Sequence, residues 1–532
     1  MSMLFTVASF AQTNYYYKGT GNLNSTANWG QNTDGTGTPP SNFTSNNQVF
    51  NVRNVTSVTN SGTWTVSGTG SKIVIGNGTN ACNVTVPTGT NTIVGTVDVS
   101  ANASLTLTNT TLPTLGTLNA ASTVIYNGTA TQTITAVTYG NLTYSGSSTG
   151  TFGGGCTING DFSCTSGNVT FNNSGTARTF TINGDFTMSS TGSIEFGSST
   201  ASGTINLAGN LSKTNGAMTT TTASANEVIN MTGSNVTLQS TSTGTIMKWV
   251  NINITNGSTC SFVGDFNMNG SAGTNGVLTV NSGGTLITGT ANLLATNSTF
   301  TLSAGGTLQI GSTAGITSSG ATGNIQASTR SYATGANYVY NGSASQATGN
   351  GLPATVNSLT INNSGAPGAN IVSLAQNTAI TTDLNITAGV LNIGTFTANR
   401  ASAGGTLTVA GTLQLGSNTG GQTGSNFPAN FSSVVLTGGT VEYTRAGTQT
   451  VYGGANYNNL SLFGSGAKTF GATTTINGNL AINSGVTATL GTFTHSANSI
   501  TLAGNGQQSG SYGGTGSGAT YILTTYFTAA TG

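Results

Sequence analysis

Thr157-Ile-Asn-Gly-Asp-Phe-Ser-Cys164 returns 24 residues later as Thr181-Ile-Asn-Gly-Asp-Phe-Thr-Met188. Within each block, apolar Ile and Phe alternate with Thr, Asn and Ser, and an Asn-Gly step interrupts the run. Alternation over four or five residues, closed by turn residues, is the pattern of a short half-buried strand. A step of 24 suits one coil of a solenoid, in which each strand stacks on its counterpart one coil earlier.

Working outward, the block belongs to a longer repeat. Val124-Ile-Tyr126-Asn-Gly is followed by Gln132, Val339-Tyr340-Asn-Gly by Gln346, and Val441-Glu-Tyr443 by Gln449, always six residues after the Tyr. Asn141-Leu-Thr-Tyr144, Ser358-Leu-Thr-Ile361 or Asn459-Leu-Ser-Leu462 comes next. Thr157-Ile-Asn-Gly-Asp-Phe162, Ile380-Thr-Thr-Asp-Leu384 or Thr475-Ile-Asn-Gly-Asn-Leu480 closes each copy. A worn copy runs through Val228-Ile-Asn-Met231, Asn251-Ile-Asn-Ile254 and Phe262-Val-Gly-Asp-Phe266. Anchors at 126, 231, 340 and 443 lie 105, 109 and 103 residues apart. Gly306-Thr-Leu-Gln-Ile-Gly-Ser312 returns as Gly411-Thr-Leu-Gln-Leu-Gly-Ser417, also 105 residues on. Coils of about 21 residues would place five in each long repeat.

The expected fold is all-β: a single long parallel β-helix, right-handed, with an N-terminal cap. Ile, Val, Leu and Phe fill it, and Thr, Asn and Ser face water. The bounds are a remnant of a secretion signal over 1–11, a cap over 12–55, β-helix repeats over 56–505 and a C-terminal junction over 506–532, beyond which the natural chain is expected to continue. Leu4 to Ala8 reads as the end of an apolar h-region, with small residues at Ser9 and Ala11 before Gln12. A chain of tandem antiparallel sandwiches is the alternative, since a period near 105 also suits such domains.

The bulk numbers agree with a solenoid and narrow the function. The 532 residues hold 10 Lys and Arg, 9 Asp and Glu and one His, which is 4% charged with a net charge of +1. Scattered single cations give no footprint for nucleic acid or an anionic membrane surface. Glycine at 79 positions argues against helices, and 7 prolines without a G-X-Y period argue against collagen. Membrane insertion is not expected, because no run nears the ~18 apolar residues of a spanning helix.

The Tyr-Asn-Gly…Gln box, the strand after it and the Thr-Ile-Asn-Gly-Asp block resemble the large β-strand-repeat proteins that Gram-negative bacteria secrete to their surface. So do Ala27-Asn-Trp-Gly…Pro-Pro-Ser-Asn-Phe43 and Gly513-Gly-Thr-Gly…Tyr526-Phe527. The resemblance covers nearly the whole chain. It implies an adhesin or structural stalk at the outer cell surface, with glycans or cell-surface components as partners. Such proteins often carry a C-terminal sorting region for type IX secretion, which is expected in the continuation of the natural chain. The family supplies no catalytic, metal-binding or cofactor-binding residues, and none are expected.

Several groups could still carry chemistry. Asp161, Asp185, Asp265 and Asp383 share one motif position with Asn479. A calcium ladder would need six to eight oxygens, so a turn residue bonding its own backbone is the expectation. Of the other acids, Asp34, Asp98, Glu195, Glu227 and Glu442, none neighbours another in sequence. A β-helix carbohydrate-active enzyme would need two or three carboxylates brought together. Arg178 and Glu195, 17 residues apart, are expected to form a surface ion pair. His495 is the lone histidine, which gives a Ser-His-Asp triad little support. Cys82, Cys156, Cys164 and Cys260 show no metal spacing; they read as small buried ladder residues, and Cys156 with Cys164 is the one pair left open. Thr-x-Thr triplets at 63, 106, 133, 179, 299 and 406 would bind ice if they shared a face. Tyr15 to Tyr17, Trp29 and Trp249 could stack on sugars, with core packing the plainer reading.

Overall fold

The computed structural model describes residues 11–197, 203–220, 227–241, 247–269, 276–422 and 424–528. Apart from Ala11, the expected signal remnant lies outside the described residues, as do residues 529–532 of the C-terminal junction. Among the described residues there is no α-helix, only a single 3-10 turn at Thr26–Asn28. The chain forms two compact units, Met1–Asn253 with Asn267–Val277, and Ile254–Phe266 with Leu278–Gly532. Each is a parallel β-helix.

In the first unit, one ladder runs through strands Ser57–Thr59, Cys82–Val86, Ala103–Leu107, Thr123–Tyr126, Asn141–Tyr144, Phe162–Cys164, Phe186–Met188, Leu211–Lys213 and Val236–Ser240. Every step is parallel. The register aligns Val84, Leu105, Val124, Leu142, Phe162, Phe186, Leu211 and Leu238 in one inward column, each at most 1% exposed. Each such side chain contributes about 1.5–3 kcal/mol by burial. Two more sheets complete the coil: Arg178–Ile182 precedes Phe186–Met188, and Ser193–Glu195 follows it. The quoted blocks are stacked neighbours, with Ile158 opposite Ile182 and Phe162 opposite Phe186.

In the second unit, the corresponding ladder joins Thr259–Phe262, Thr285–Ile287, Thr307–Ile310, Asn337–Tyr340, Ser358–Asn362, Leu384–Ala388, Gly404–Val409 and Phe431–Val435. An adjacent one joins Ile371–Ser373, Val390–Asn392, Thr412–Leu415, Thr440–Tyr443, Asn459–Leu462, Thr475–Ile482 and Ser496–Leu502.

The long repeat is structural. Leu105, Val124, Leu142 and Phe162 stack in succession, as do Leu308, Tyr338, Leu359 and Leu384, and Leu413, Val441, Leu460 and Leu480. The expected uniform coil of about 21 residues is corrected. Offsets between stacked coils run from 18 (Val124 to Leu142) to 32 (Leu293 to Ile325), because corner loops absorb insertions without moving the strands. Five coils per repeat is corrected with it. From Tyr338 the ladder takes four steps, through Leu359, Leu384 and Leu407, to Val434, and the motif then returns at Val441 on the neighbouring sheet.

The invariant Tyr-to-Gln spacing has a physical cause. Gln132 is 1% exposed. Its Oε1 accepts the Gly128 N–H (2.7 Å), and its Nε2 donates to Leu107 O and Asn109 O (both 2.9 Å) one coil earlier. Gln346 repeats this with Gly342, Ile310 and Ser312, and Gln449 with Arg445, Leu415 and Ser417. A Cβ on Gly128 would lie 2.6 Å from the Gln132 amide carbon. The third copy has Arg445 at that place, and its bond to Gln449 lengthens to 3.2 Å.

At the N-terminal end, Thr13–Tyr17 pairs parallel with Gln48–Val52 and antiparallel with the two-residue strand Trp29–Gly30. Beneath lies an aromatic cluster in which Trp29 contacts Tyr17, Phe43, Phe50 and Trp64 at 5.3–6.3 Å between ring centres. A short antiparallel edge leaves little strand for another chain to extend.

Candidate functional site

The motif aspartates form an intercoil ladder, which corrects the expected bond to their own backbone. Asp161 Oδ1 accepts the Asp185 N–H (2.8 Å), Asp185 Oδ1 the Asn210 N–H (2.8 Å), and Asn210 Oδ1 the Thr237 N–H (2.7 Å). In the second unit, Asp265 receives Asn292 N–H and Asp383 receives Thr406 N–H, both at 2.8 Å. Asn459 Oδ1 accepts the Asn479 N–H (3.0 Å), and Asn479 Oδ1 accepts the Ser499 hydroxyl (3.1 Å). A corner N–H that no strand can pair is thereby satisfied by the coil before it.

Most of the remaining acids are likewise engaged. Asp34 accepts the Thr36 N–H and hydroxyl, which hold its carboxyl below the ordinary range. Asp98 binds Lys72 Nζ (2.7 Å), the one ion pair among the described residues, and the Thr117 N–H. Glu442 accepts from Gln414 Nε2 (2.8 Å). Glu195 lies opposite Thr170 on the neighbouring strand, and partial burial pushes its carboxyl up. The expected Arg178–Glu195 ion pair is absent. Arg178 instead donates to the carbonyls of Phe152, Gly153 and Phe171, which are nearer its corner.

Glu227 is the most perturbed acid. It opens strand Glu227–Met231 on the inward side, in the same column as Gly203 and Arg178. Its Oε2 accepts the Gly203 N–H (2.5 Å), Oε1 has no partner, and burial pushes its pKa to about 7. Such a value suits a general acid. The side chain is 0% exposed, however, and a catalytic acid must touch its substrate. No three His, Cys, Asp or Glu side chains gather into a metal site among the described residues.

The other candidates resolve individually. All four cysteines are free thiols, so Cys156 and Cys164 do not pair; burial raises both to about 12 and Cys260 to about 11. In the first unit the Thr triplets at 63, 106, 133 and 179 fall on four different sheets, and in the second those at 299 and 406 fall on two. Tyr15, Tyr17 and Trp29 are buried, whereas Tyr16 lies under Arg53 (4.4 Å) at the surface. Trp249 adopts φ 56° with the Lys248 ammonium 4.2 Å from its ring centre.

Sequence reasoning missed a cleft of about 790 Å³ in the second unit. Its walls are the loop Leu490–His495, the exposed start of strand Ser496–Leu502, and segments around Gln507–Tyr512 and Ser517–Ala519. No Asp, Glu, Lys or Arg lines it, and none occurs after Lys468. His495 anchors the wall. Its Nδ1 accepts the Thr474 N–H (3.2 Å) and its Nε2 therefore donates to Leu490 O (3.0 Å). Burial lowers its pKa and the ring is neutral. It packs between Phe470 (4.3 Å) and Phe493 (6.4 Å), leaving Phe493 39% exposed. On another wall Tyr512 stacks on Tyr521 at 4.8 Å and 22°. The signal that could have revealed the cleft is the uncharged, aromatic-bearing final stretch. Comparison with protein-family models, curated proteins and solved structures returns no match for this chain.

Proposed function

We propose that the chain is a non-catalytic secreted protein of a Gram-negative cell surface, an adhesin or structural stalk whose partners are glycans or other surface components. One observation carries this reading. Eight of the nine acids and the single histidine are hydrogen-bonded within the frame: Asp161, Asp185, Asp265 and Asp383 to the next coil, Asp34, Asp98, Glu227 and Glu442 to local partners, and His495 through both nitrogens. A carbohydrate-active site would need two or three carboxylates converging on a substrate, and these are held apart at separate places in the frame. The uncharged strand faces suit a scaffold that acts through repeated weak contacts. The sequence resemblance to secreted strand-repeat proteins supports the surface location.

Labelling of intact producing cells tests the proposal directly. Surface exposure of the chain, with no turnover on a panel of polysaccharides, is the expected result. Retention in the cytoplasm, or turnover that Glu227→Gln or Glu195→Gln abolishes, would overturn it.

A further inference from the structure

Beyond that general role, the cleft has a chemistry of its own. It presents Phe493 as an exposed aromatic face and the Tyr512–Tyr521 stack as a second. The lining also carries hydroxyls and amides, including Ser496, Asn498, Gln507 and Gln508. The Tyr521 hydroxyl donates to Gln508 Oε1 (3.2 Å), which fixes that amide and leaves its NH2 group for another acceptor. The volume of about 790 Å³ lies within the range of small-ligand sites, ~300–1,000 Å³.

The absence of charge decides the ligand class. A phosphate, sulfate or carboxylate ligand is ordinarily held by a cation or a helix N-terminus, and the lining has neither, since it holds no Lys or Arg and His495 has both nitrogens engaged. A cationic ligand would need a carboxylate, which is equally absent. An apolar ligand would leave the amides and hydroxyls unpaired, at about 1–3 kcal/mol for each buried group. A ligand with an apolar face, many hydroxyls and no charge meets all three conditions. Aromatic rings take the C–H face of such a molecule, and amides of both hydrogen-bonding senses take its hydroxyls.

We propose that this cleft binds a neutral oligosaccharide, with Phe493 and Tyr512 as the stacking platforms. The proposal rests on the adhesive reading above and gives it a site. The test is titration calorimetry of the full chain against neutral glucan, mannan, xylan and chitin oligosaccharides. Circular dichroism confirms that the variants keep their fold. At least one probe should bind, with an affinity that changes little between about 0.05 and 0.5 M salt. Phe493→Ala and Tyr512→Ala should each weaken binding by roughly tenfold. Binding that both variants retain would place the sugar elsewhere, overturning the site and leaving the adhesive reading intact. Binding to none of the probes, or only to sulfated glycans with steep salt dependence, would overturn the neutral-saccharide assignment. Surface labelling of cells tests the broader reading separately.

Discussion

Aromatic residues are used in opposite ways in the N-terminal segment of the first unit and the last coil of the second. Around Trp29, strands Thr13–Tyr17 and Trp29–Gly30 cover the rings, so Trp29 and Trp64 are 0% exposed. Around Phe493, strand Ser496–Leu502 has its first four residues exposed, and Phe493 is 39% exposed. Residue type alone does not make a ring core or surface. The difference lies in whether a further stretch of chain crosses over it.

The sharpest break of this comparison is Trp29→Ala, which should cost about 3–5 kcal/mol through lost burial and the cavity left behind. Phe493→Ala should cost about 1 kcal/mol or less. Hydrogen exchange of neighbouring amides measures both locally, and equal costs would end the distinction. Next comes Gln132→Ala, which leaves the Gly128 N–H and the Asn109 carbonyl without the Gln132 partner, while Leu107 O keeps the Asn127 N–H. A loss of about 2–3 kcal/mol is expected, with faster exchange at Gly128. Gln449→Ala, acting beside the longer 3.2 Å bond of the Arg445 copy, should cost less.

Acidity separates Glu227 from His495. Glu227 is raised from 4.5 to about 7, so its folded form holds the proton more tightly. Its stabilising contribution is whole below about 4.5 and is lost as pH rises through about 7. His495 is lowered from 6.5, so its contribution is present above that value and is lost as pH falls through its folded pKa. Glu227→Gln should flatten the first slope in a pH-stability profile and leave the second. The smallest effect belongs to Asp185→Asn. Asn210 and Asn459 already serve as acceptors in such ladders, so a shift within about 0.5 kcal/mol is expected. Added calcium should leave the melting temperature unchanged; a rise would revive the metal reading of this position.

Much of the fold was legible in sequence, for a mechanical reason. In a β-helix each strand meets its counterpart one coil away, so the repetition of Ile158 and Phe162 at Ile182 and Phe186 is itself a statement about contacts. Coil length was less legible, because insertions fall at corners and leave the stacked strands alone. The chemical candidates were legible only as types. The bonds of Asp161 and Asp185 run between coils, to partners 24 and 25 residues away, so no local turn pattern could disclose them.

By itself, then, the sequence determined the architecture: alternation set the strands, the repeat set the stacking, and a charge content of 4% limited the chemistry to a few isolated groups. Only the tertiary structure decided which of those groups were engaged. Hydrogen bonding and burial depend on what lies one coil away. The same physics placed Phe493, Tyr512 and the neutral His495 around a cleft, since distant segments converge there through folding and share no sequence pattern.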